Sequence, residues 1–368
     1  MDITAHIFGA PGRYVQGAGV INELGKFLAP LGRHVLVVGG KAGLAATKAG
    51  RDSSLPAYGL TQTEALFGGE VSEGEIRRLA ALGRAHGCDV LLASGGGKAI
   101  DAVKAAAEDL GVPAVIVPTI ASNDAPASAL SVLYHEDGTF HRLRPLKNSP
   151  ALVLVDTRLI ADAPVRQLVS GMGDALATWY EADACCKSGA LNNFGGLMTS
   201  AALGLAKLCR DTLLEYGRDA VRSCENRAVT PALEYVVEAN TLLSGLGFES
   251  GGVAAAHALS EGFTVLHEMH GYTHGEKVAF GLLAQLALEG RPASEIREIC
   301  RFCIDVGMPV TLSDLGCADV DEARLRMAAE AAAEPGRPSH NMPFPITGGM
   351  LYEAVRAADA LGRQMKAE

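Results

Sequence analysis

The sequence has no excess of positive charge. Lys and Arg number 32 against 42 Asp and Glu, a net charge of −10. A duplex-DNA reader needs a basic surface to meet the phosphates, so nucleic acid is not an expected partner. Long apolar runs are missing too. The longest uncharged stretches are rich in Gly, Ala and Ser, and none reads as a membrane span of about 20 apolar residues, so no membrane is expected either. Residues 1–10 (MDITAHIFGA) show no basic stretch ahead of an apolar core. No secretory leader is read there, and a cytoplasmic location is the expectation. Cysteines are sparse, eight in 368 residues, and four fall in segments that read as helix interior, which favours reduced thiols. Cys300 and Cys303 have the spacing of a metal or redox pair. They sit inside a helical pattern with no second pair, and packing is the better reading.

What the chain does have is core material: 48% hydrophobic and only 20% charged residues, over a length that favours two domains. The first half alternates two hydrophobic periods. Buried strands are read at 35–38, 90–93, 114–117 and 151–155, with a hairpin at 130–134 and 140–143 laid onto their sheet. Helices are read between them, one opened by Ser72 and Glu75 as a capping box and one over 99–110. Strands alternating with helices imply a mostly parallel sheet. After Pro164 the β-branched runs vanish. Helical spacing then runs through 168–184, 197–215, 231–244, 253–266, 277–288 and 294–306. The expectation is an α/β domain over 1–163 and an all-helical domain over 164–368.

Three features could carry chemistry. Gly95-Gly96-Gly97-Lys98 lies directly after a strand and directly before a helix. Consecutive glycines let a diphosphate approach the backbone, the helix N-terminus adds positive potential and Lys98 a charge. A plain strand-to-helix turn needs fewer glycines, so phosphate binding is favoured. Next, the polar loop 119–128 (TIASNDAPAS) follows a strand at the end where open α/β sheets bind ligands. Thr119, Ser122 and Ser128 can hydrogen-bond a cofactor there, and Asp124 can accept from substrate hydroxyls; turn chemistry alone would explain any one of them. Finally, four of the ten histidines fall between His257 and His274. His270 and His274 are spaced to share a helix face, and Gly171-Met172-Gly173-Asp174 is read as opening a helix with an acid at its N-terminal end. An Asp and two neutral imidazoles would hold a divalent transition metal with a position left open for substrate. Spacing does not say which histidines bind.

Together these residues mark a resemblance. Over essentially its whole length the chain resembles the glycerol dehydrogenases of the iron-containing (group III) alcohol dehydrogenase superfamily. The resemblance is carried by Gly95 to Lys98, by 118–126 (PTIASNDAP), by 173–179 (GDALATW), by 238–252 (EANTLLSGLGFESGG), by Ala255-Ala256-His257 and by 274–281 (HGEKVAFG). It implies a Rossmann-like α/β domain, a helical domain of dehydroquinate synthase-like architecture, and a metal in the cleft between them. By position, the zinc ligands, which are also substrate contacts, fall on Asp174, His257 and His274. The dinucleotide contacts fall on Gly96, Gly97, Lys98, Thr119, Ser122, Ser128, Leu130 and Tyr134, and a substrate-hydroxyl contact falls on Asp124. The implied activity is reversible oxidation of glycerol, or a related small vicinal diol, to dihydroxyacetone with hydride transfer to NAD. A homo-oligomer is implied as well, with an octamer within the range.

The chain also departs from the pattern of the family it resembles at three places. Iron-using relatives carry a His four residues after the ligand Asp; Thr178 stands here, which suits zinc with an open position. Ser260-Glu261-Gly262 replaces a His-Asn-Gly that often follows the second ligand, and His270 is then the candidate proton relay. The strand that usually ends in a ribose-binding acid ends here in Gly39-Gly40-Lys41, which leaves NADP open beside NAD. Other readings within this architecture are a 2-hydroxy acid or glycerol 1-phosphate dehydrogenase, or a sugar-phosphate lyase of the dehydroquinate synthase type. These would want cationic side chains at the substrate, where Asp124 stands.

Overall fold

A computed structural model describes residues 5–368; residues 1–4, part of the stretch read above for a leader, lie outside them. Among the described residues there are eight strands: β1 Tyr14–Gly17, β2 His34–Gly39, β3 Thr61–Leu66, β4 Val90–Gly95, β5 Ala114–Pro118, β6 Leu130–Tyr134, β7 Phe140–Pro145 and β8 Leu152–Asp156. The α-helices are α1 Leu24–Leu28, α2 Lys41–Ala57, α3 Glu73–Ala85, α4 Gly97–Leu110, α5 Thr157–Asp162, α6 Val165–Ser188, α7 Ser200–Glu225, α8 Pro231–Glu238, α9 Ser244–Gly251, α10 Ala255–Gly262, α11 His274–Leu288, α12 Ala293–Val306, α13 Glu322–Ala332 and α14 Gly348–Ala367. They build two compact units. A sheet unit comprises Gly9–Leu168 and Arg222–Gly245; a helical unit comprises Val169–Val221, Leu246–Glu368 and the segment ending at Phe8.

In the sheet unit, six parallel strands run in the order β1-β8-β5-β4-β2-β3. The inner strands are the apolar runs of the sequence, and Val35 to Val38, Val90 to Ala93, Val115 to Val117 and Leu152 to Val155 are all buried. Strands covered on both faces need no alternation. Edge strands β1 and β3 escaped the sequence reading, β1 because it has only four residues and β3 because it is polar along much of its length; β3 exposes Thr61, Glu64 and Leu66. The chain leaves β2 for β3 on one side and returns to β4 on the other, so the winding reverses between β2 and β4. The carboxyl ends at this reversal are Gly39 and Gly95, and such a switch point is where open α/β sheets bind ligands.

Several elements differ from expectation. The hairpin does not extend the main sheet. β6 and β7 form a separate antiparallel pair, fastened to α4 by Val132 N–H donating to Asp101 Oδ2 at 2.9 Å and Ser131 Oγ donating to the Asp101 carbonyl at 2.9 Å. The helix read over 231–244 is helical throughout but widens into a π-turn at Ala239–Leu243, between α8 and α9, and runs on to Gly251. Arg222–Gly245 belongs with the sheet unit, not with the helices it resembles in composition. Polar ties explain this: Gln16 Nε2 donates to Glu234 Oε2 at 2.7 Å, Thr157 Oγ1 to Glu234 Oε1 at 2.6 Å, and Asn240 Nδ2 to the Ala121 carbonyl at 3.0 Å. Composition cannot signal such ties.

Seven of the eight cysteines are buried, all eight are free thiols, and Cys300 and Cys303 pack inside α12. Burial pushes the Cys300 thiol up to about 11, far from thiolate chemistry at neutral pH. Among the described residues no helix is long and apolar enough to cross a membrane.

Candidate active site

Asp174 sits in the third turn of α6, not at a helix start as its Gly-Met-Gly-Asp context suggested, because α6 already begins at Val165. The glycines around it serve close packing instead. A Cβ on Gly173 would lie 2.4 Å from the Gly275 carbonyl oxygen, and one on Gly275 would lie 1.7 Å from that of Ser170. The backbones of α6 and α11 touch there, which brings Asp174 beside the first residue of α11, His274. Thr273 starts α11 with a capping box: its Oγ1 accepts from Glu276 N–H and its own N–H donates to Glu276 Oε2 at 2.7 Å. The cap breaks any helix joining His270 to His274, so these two do not share a helical face. The third member, His257, lies in the first turn of α10.

Both imidazole Nε2 atoms approach one oxygen, Asp174 Oδ1, at 3.3 Å from His257 and 3.2 Å from His274. Ligand atoms of the three residues all lie within 4.8 Å of one another. A tetrahedral ion with ligand bonds of about 2.0–2.1 Å has ligand–ligand edges of about 3.3 Å, so the donor set fits a divalent transition ion. Asp174 is buried, while the His274 side chain is 45% exposed, which leaves the centre approachable from one side.

A buried carboxylate holds the triad in shape. Glu181 lies two turns after Asp174 on α6, fully buried, and its Oε2 is 2.5 Å from His257 Nδ1. Its Oε1 accepts the Ala254 and His257 backbone N–H groups at 2.8 and 2.9 Å. Nδ1 therefore carries the proton, and the Nε2 lone pair faces the metal position. Without metal, burial pushes the Asp174 carboxyl up, but the charge of His274 and the hydrogen bonds and charge of His257 outweigh it and hold it well below the carboxylate range. Burial pulls the His257 imidazole down, yet the charges and hydrogen bonds of Glu181 and Asp174 win and raise it well above 6.5. Glu181 was missed in the sequence, although an acid seven residues after a ligand in an apolar helix marks the same face.

The second feature lies in the sheet unit. Gly96 is the N-cap of α4, and a Cβ on Gly97 would lie 2.3 Å from Asn123 Nδ2, so glycine lets the turn and the following loop pack together. Thr119 N–H donates to the Gly95 carbonyl at 3.1 Å, tying the loop start to this turn. Lys98 Nζ pairs with Glu70 Oε2 at 2.6 Å and lies 5.2 Å from the Tyr134 ring centroid. Gly96, Gly97, Lys98, Thr119 and Tyr134 are thus linked, and Ser122 sits partly exposed in the same loop. Ser128 is buried with its Oγ 3.1 Å from Lys104 Nζ, and the Leu130 carbonyl accepts from the same ammonium. Asp124 is buried at the loop's centre and accepts from Ser244 Oγ at 2.7 Å through Oδ2. His270 falls outside the triad. It is exposed in the 3-10 turn His267–Gly271, its Nε2 2.9 Å from the Thr264 carbonyl.

A parallel sheet with a glycine turn at its switch point, and a helical unit with a carboxylate–imidazole triad, define a class: metal-binding enzymes of dehydroquinate synthase-like architecture. Comparison with known proteins narrows it. Residues 11–157 match the family described as iron-containing alcohol dehydrogenase. The chain is 49% identical over 362 residues to a glycerol dehydrogenase of Escherichia coli O6:H1, covering 98% of this chain and 99% of the relative. It is 44% identical to a glycolaldehyde reductase of Halobacterium salinarum, covering 98% and 99%. A crystal structure of a probable glycerol dehydrogenase from Sinorhizobium meliloti superposes with a TM-score of 0.92 at 43% identity, over 98% of this chain and all of that one. The chain belongs to the iron-containing alcohol dehydrogenase family.

Proposed function

We propose that the chain oxidises glycerol reversibly to dihydroxyacetone, with zinc at Asp174, His257 and His274 and NAD as hydride acceptor. The observation that carries this reading is the triad. Three ligand atoms lie within 4.8 Å, with a buried carboxylate fixing one imidazole, in a chain 49% identical end to end to a glycerol dehydrogenase. Zinc supplies Lewis acidity, lowering the pKa of the alcohol it polarises.

The chain's own residues do the rest. Asp174, His257 and His274 hold the ion, and Glu181 keeps the Nε2 of His257 directed at it. Gly96 and Gly97 offer backbone N–H groups to the diphosphate, Lys98 adds a charge, and Thr119, Ser122, Ser128, Leu130 and Tyr134 border the dinucleotide. Asp124 accepts a hydrogen bond from a glycerol hydroxyl and repels carboxylate and phosphate substrates. His270 passes the released proton to water. NAD held at the dinucleotide site would supply the hydride acceptor, so that the hydride of the carbinol carbon and the proton of its hydroxyl would both be accounted for: glycerol and NAD+ would give dihydroxyacetone, NADH and a proton. NAD is preferred to NADP in this reading, and a homo-oligomer is part of it, tested by light scattering on the purified protein.

Initial rates of nicotinamide reduction by zinc-loaded protein with glycerol test the proposal. A second reading, favoured by the Halobacterium salinarum relative, is reduction of glycolaldehyde, a two-carbon hydroxyaldehyde. Rates with glycolaldehyde and NADH, measured beside those with glycerol, separate the two.

A further inference from the structure

Lys104 is one of the most deeply buried cations in the sheet unit, 2% exposed, and lies two turns into α4. Its ammonium is 2.9 Å from Asp101 Oδ1, one turn earlier on the same helix. Its three N–H groups are shared among further acceptors in reach: the Ala125 carbonyl at 2.9 Å, Ser128 Oγ at 3.1 Å, the Ser128 carbonyl at 3.2 Å and the Leu130 carbonyl. Burying an ammonium is costly unless it is paired and hydrogen-bonded. Packing alone would be served by an apolar side chain. An apolar side chain here, however, would leave the carbonyls of residues 125, 128 and 130 without this donor.

Asp101 completes the fastening by accepting Val132 N–H through its other oxygen. The far end of the loop is held independently, by Asn240 Nδ2 on the Ala121 carbonyl and Ser244 Oγ on Asp124. We propose that Lys104 is a positioning residue for the dinucleotide: it clamps residues 125–130 onto α4, the helix whose N-terminus carries Gly96, Gly97 and Lys98. This rests on the reading of that loop as the NAD site. Lys104 touches no ligand. It sets the fraction of molecules whose loop is already in binding shape, and apparent affinity falls in proportion to that fraction.

The test compares zinc-loaded wild type, Lys104→Met and the double variant Asp101→Asn/Lys104→Met for NADH binding by nicotinamide fluorescence, thermal midpoint, zinc affinity and steady-state kinetics. The double variant leaves no unpaired buried carboxylate and still accepts Val132 N–H, so it regains midpoint lost by the single one. Both variants are expected to weaken NADH binding about tenfold or more, as for a loop competent in about a tenth of molecules. KM for NAD should rise, while kcat at saturating NAD and zinc affinity stay near wild type. A double variant that binds NADH as tightly as wild type overturns the clamp. So does loss of folding in both variants, because Lys104 would then be a determinant of the fold and not of the loop. Failure of wild type itself to bind NADH contradicts the NAD reading instead.

Discussion

The Nδ1 of His257 and the Oε2 of Glu181 lie 2.5 Å apart and the carboxylate is fully buried, so one imidazole of the metal triad is fixed from behind. An imidazole held this way keeps its tautomer and donates more strongly to a metal.

Replacing Glu181 by Gln removes the negative charge and nearly preserves the shape. Zinc affinity, measured by competition with a chromophoric chelator, is expected to fall about 10- to 100-fold. NADH binding, which the proposed function assigns to the sheet unit, should not change. Equal zinc affinity in wild type and variant would reduce Glu181 to a packing role.

Metal uptake should release protons. In the metal-free protein Asp174 and Glu181 raise the His257 pKa well above 6.5, so the folded imidazole holds a proton at neutral pH that the unfolded chain has largely lost. That proton stabilises the metal-free fold fully below pH 6.5, and the contribution disappears as pH rises through the raised value. Zinc must displace the proton, so its apparent affinity climbs with pH over the same window. Calorimetric heats of zinc binding at pH 7 are expected to vary with the ionisation enthalpy of the buffer. Buffer-independent heats would mean that His257 is already neutral.

Much of this was legible in the sequence, and the reasons are local. The inner strands show because they are buried on both faces and therefore continuously apolar. The glycine turn shows because three consecutive glycines are unusual, and the crowding of histidines between 257 and 274 points to a metal, but only the family resemblance singles out Asp174, His257 and His274. What stayed hidden depends on contacts far apart in sequence. Strand β3 reads as polar because it is an edge. Asp174 looked like a helix start because Gly171 and Gly173 suggest one, whereas glycine there serves the close approach to Gly275. Lys104 looked like an ordinary helix lysine, and nothing nearby in sequence announces the carbonyls it binds.

Gly40 offers a direct handle on cofactor choice. A Cβ there meets no atom within 4 Å and its φ is −69°, so Gly40→Asp is expected to fold normally. An acid at this strand end binds a ribose hydroxyl and repels a 2′-phosphate. The NAD over NADP ratio of kcat/KM should rise about tenfold or more in the variant, a difference of about 1.4 kcal/mol. An unchanged ratio would place the ribose elsewhere.

Asp124 and His270 are separable by kinetics. Asp124→Asn removes the charge but keeps an amide oxygen to accept from Ser244 Oγ, and kcat/KM for glycerol should fall about tenfold or more with NADH affinity kept. His270→Ala should lower kcat about 100-fold and alter its pH profile if the imidazole relays the proton. A normal kcat in that variant removes His270 from the mechanism.

The central claim is that a metal held by Asp174, His257 and His274 drives glycerol oxidation. The most direct measurement follows NADH formation from glycerol and NAD by wild type and His274→Ala, each stripped by chelator and then titrated with zinc. The proposal requires wild-type activity to vanish on stripping and return with about one zinc per chain, while His274→Ala stays inactive but still binds NADH. Full activity in the stripped protein, or in His274→Ala without zinc, would contradict it.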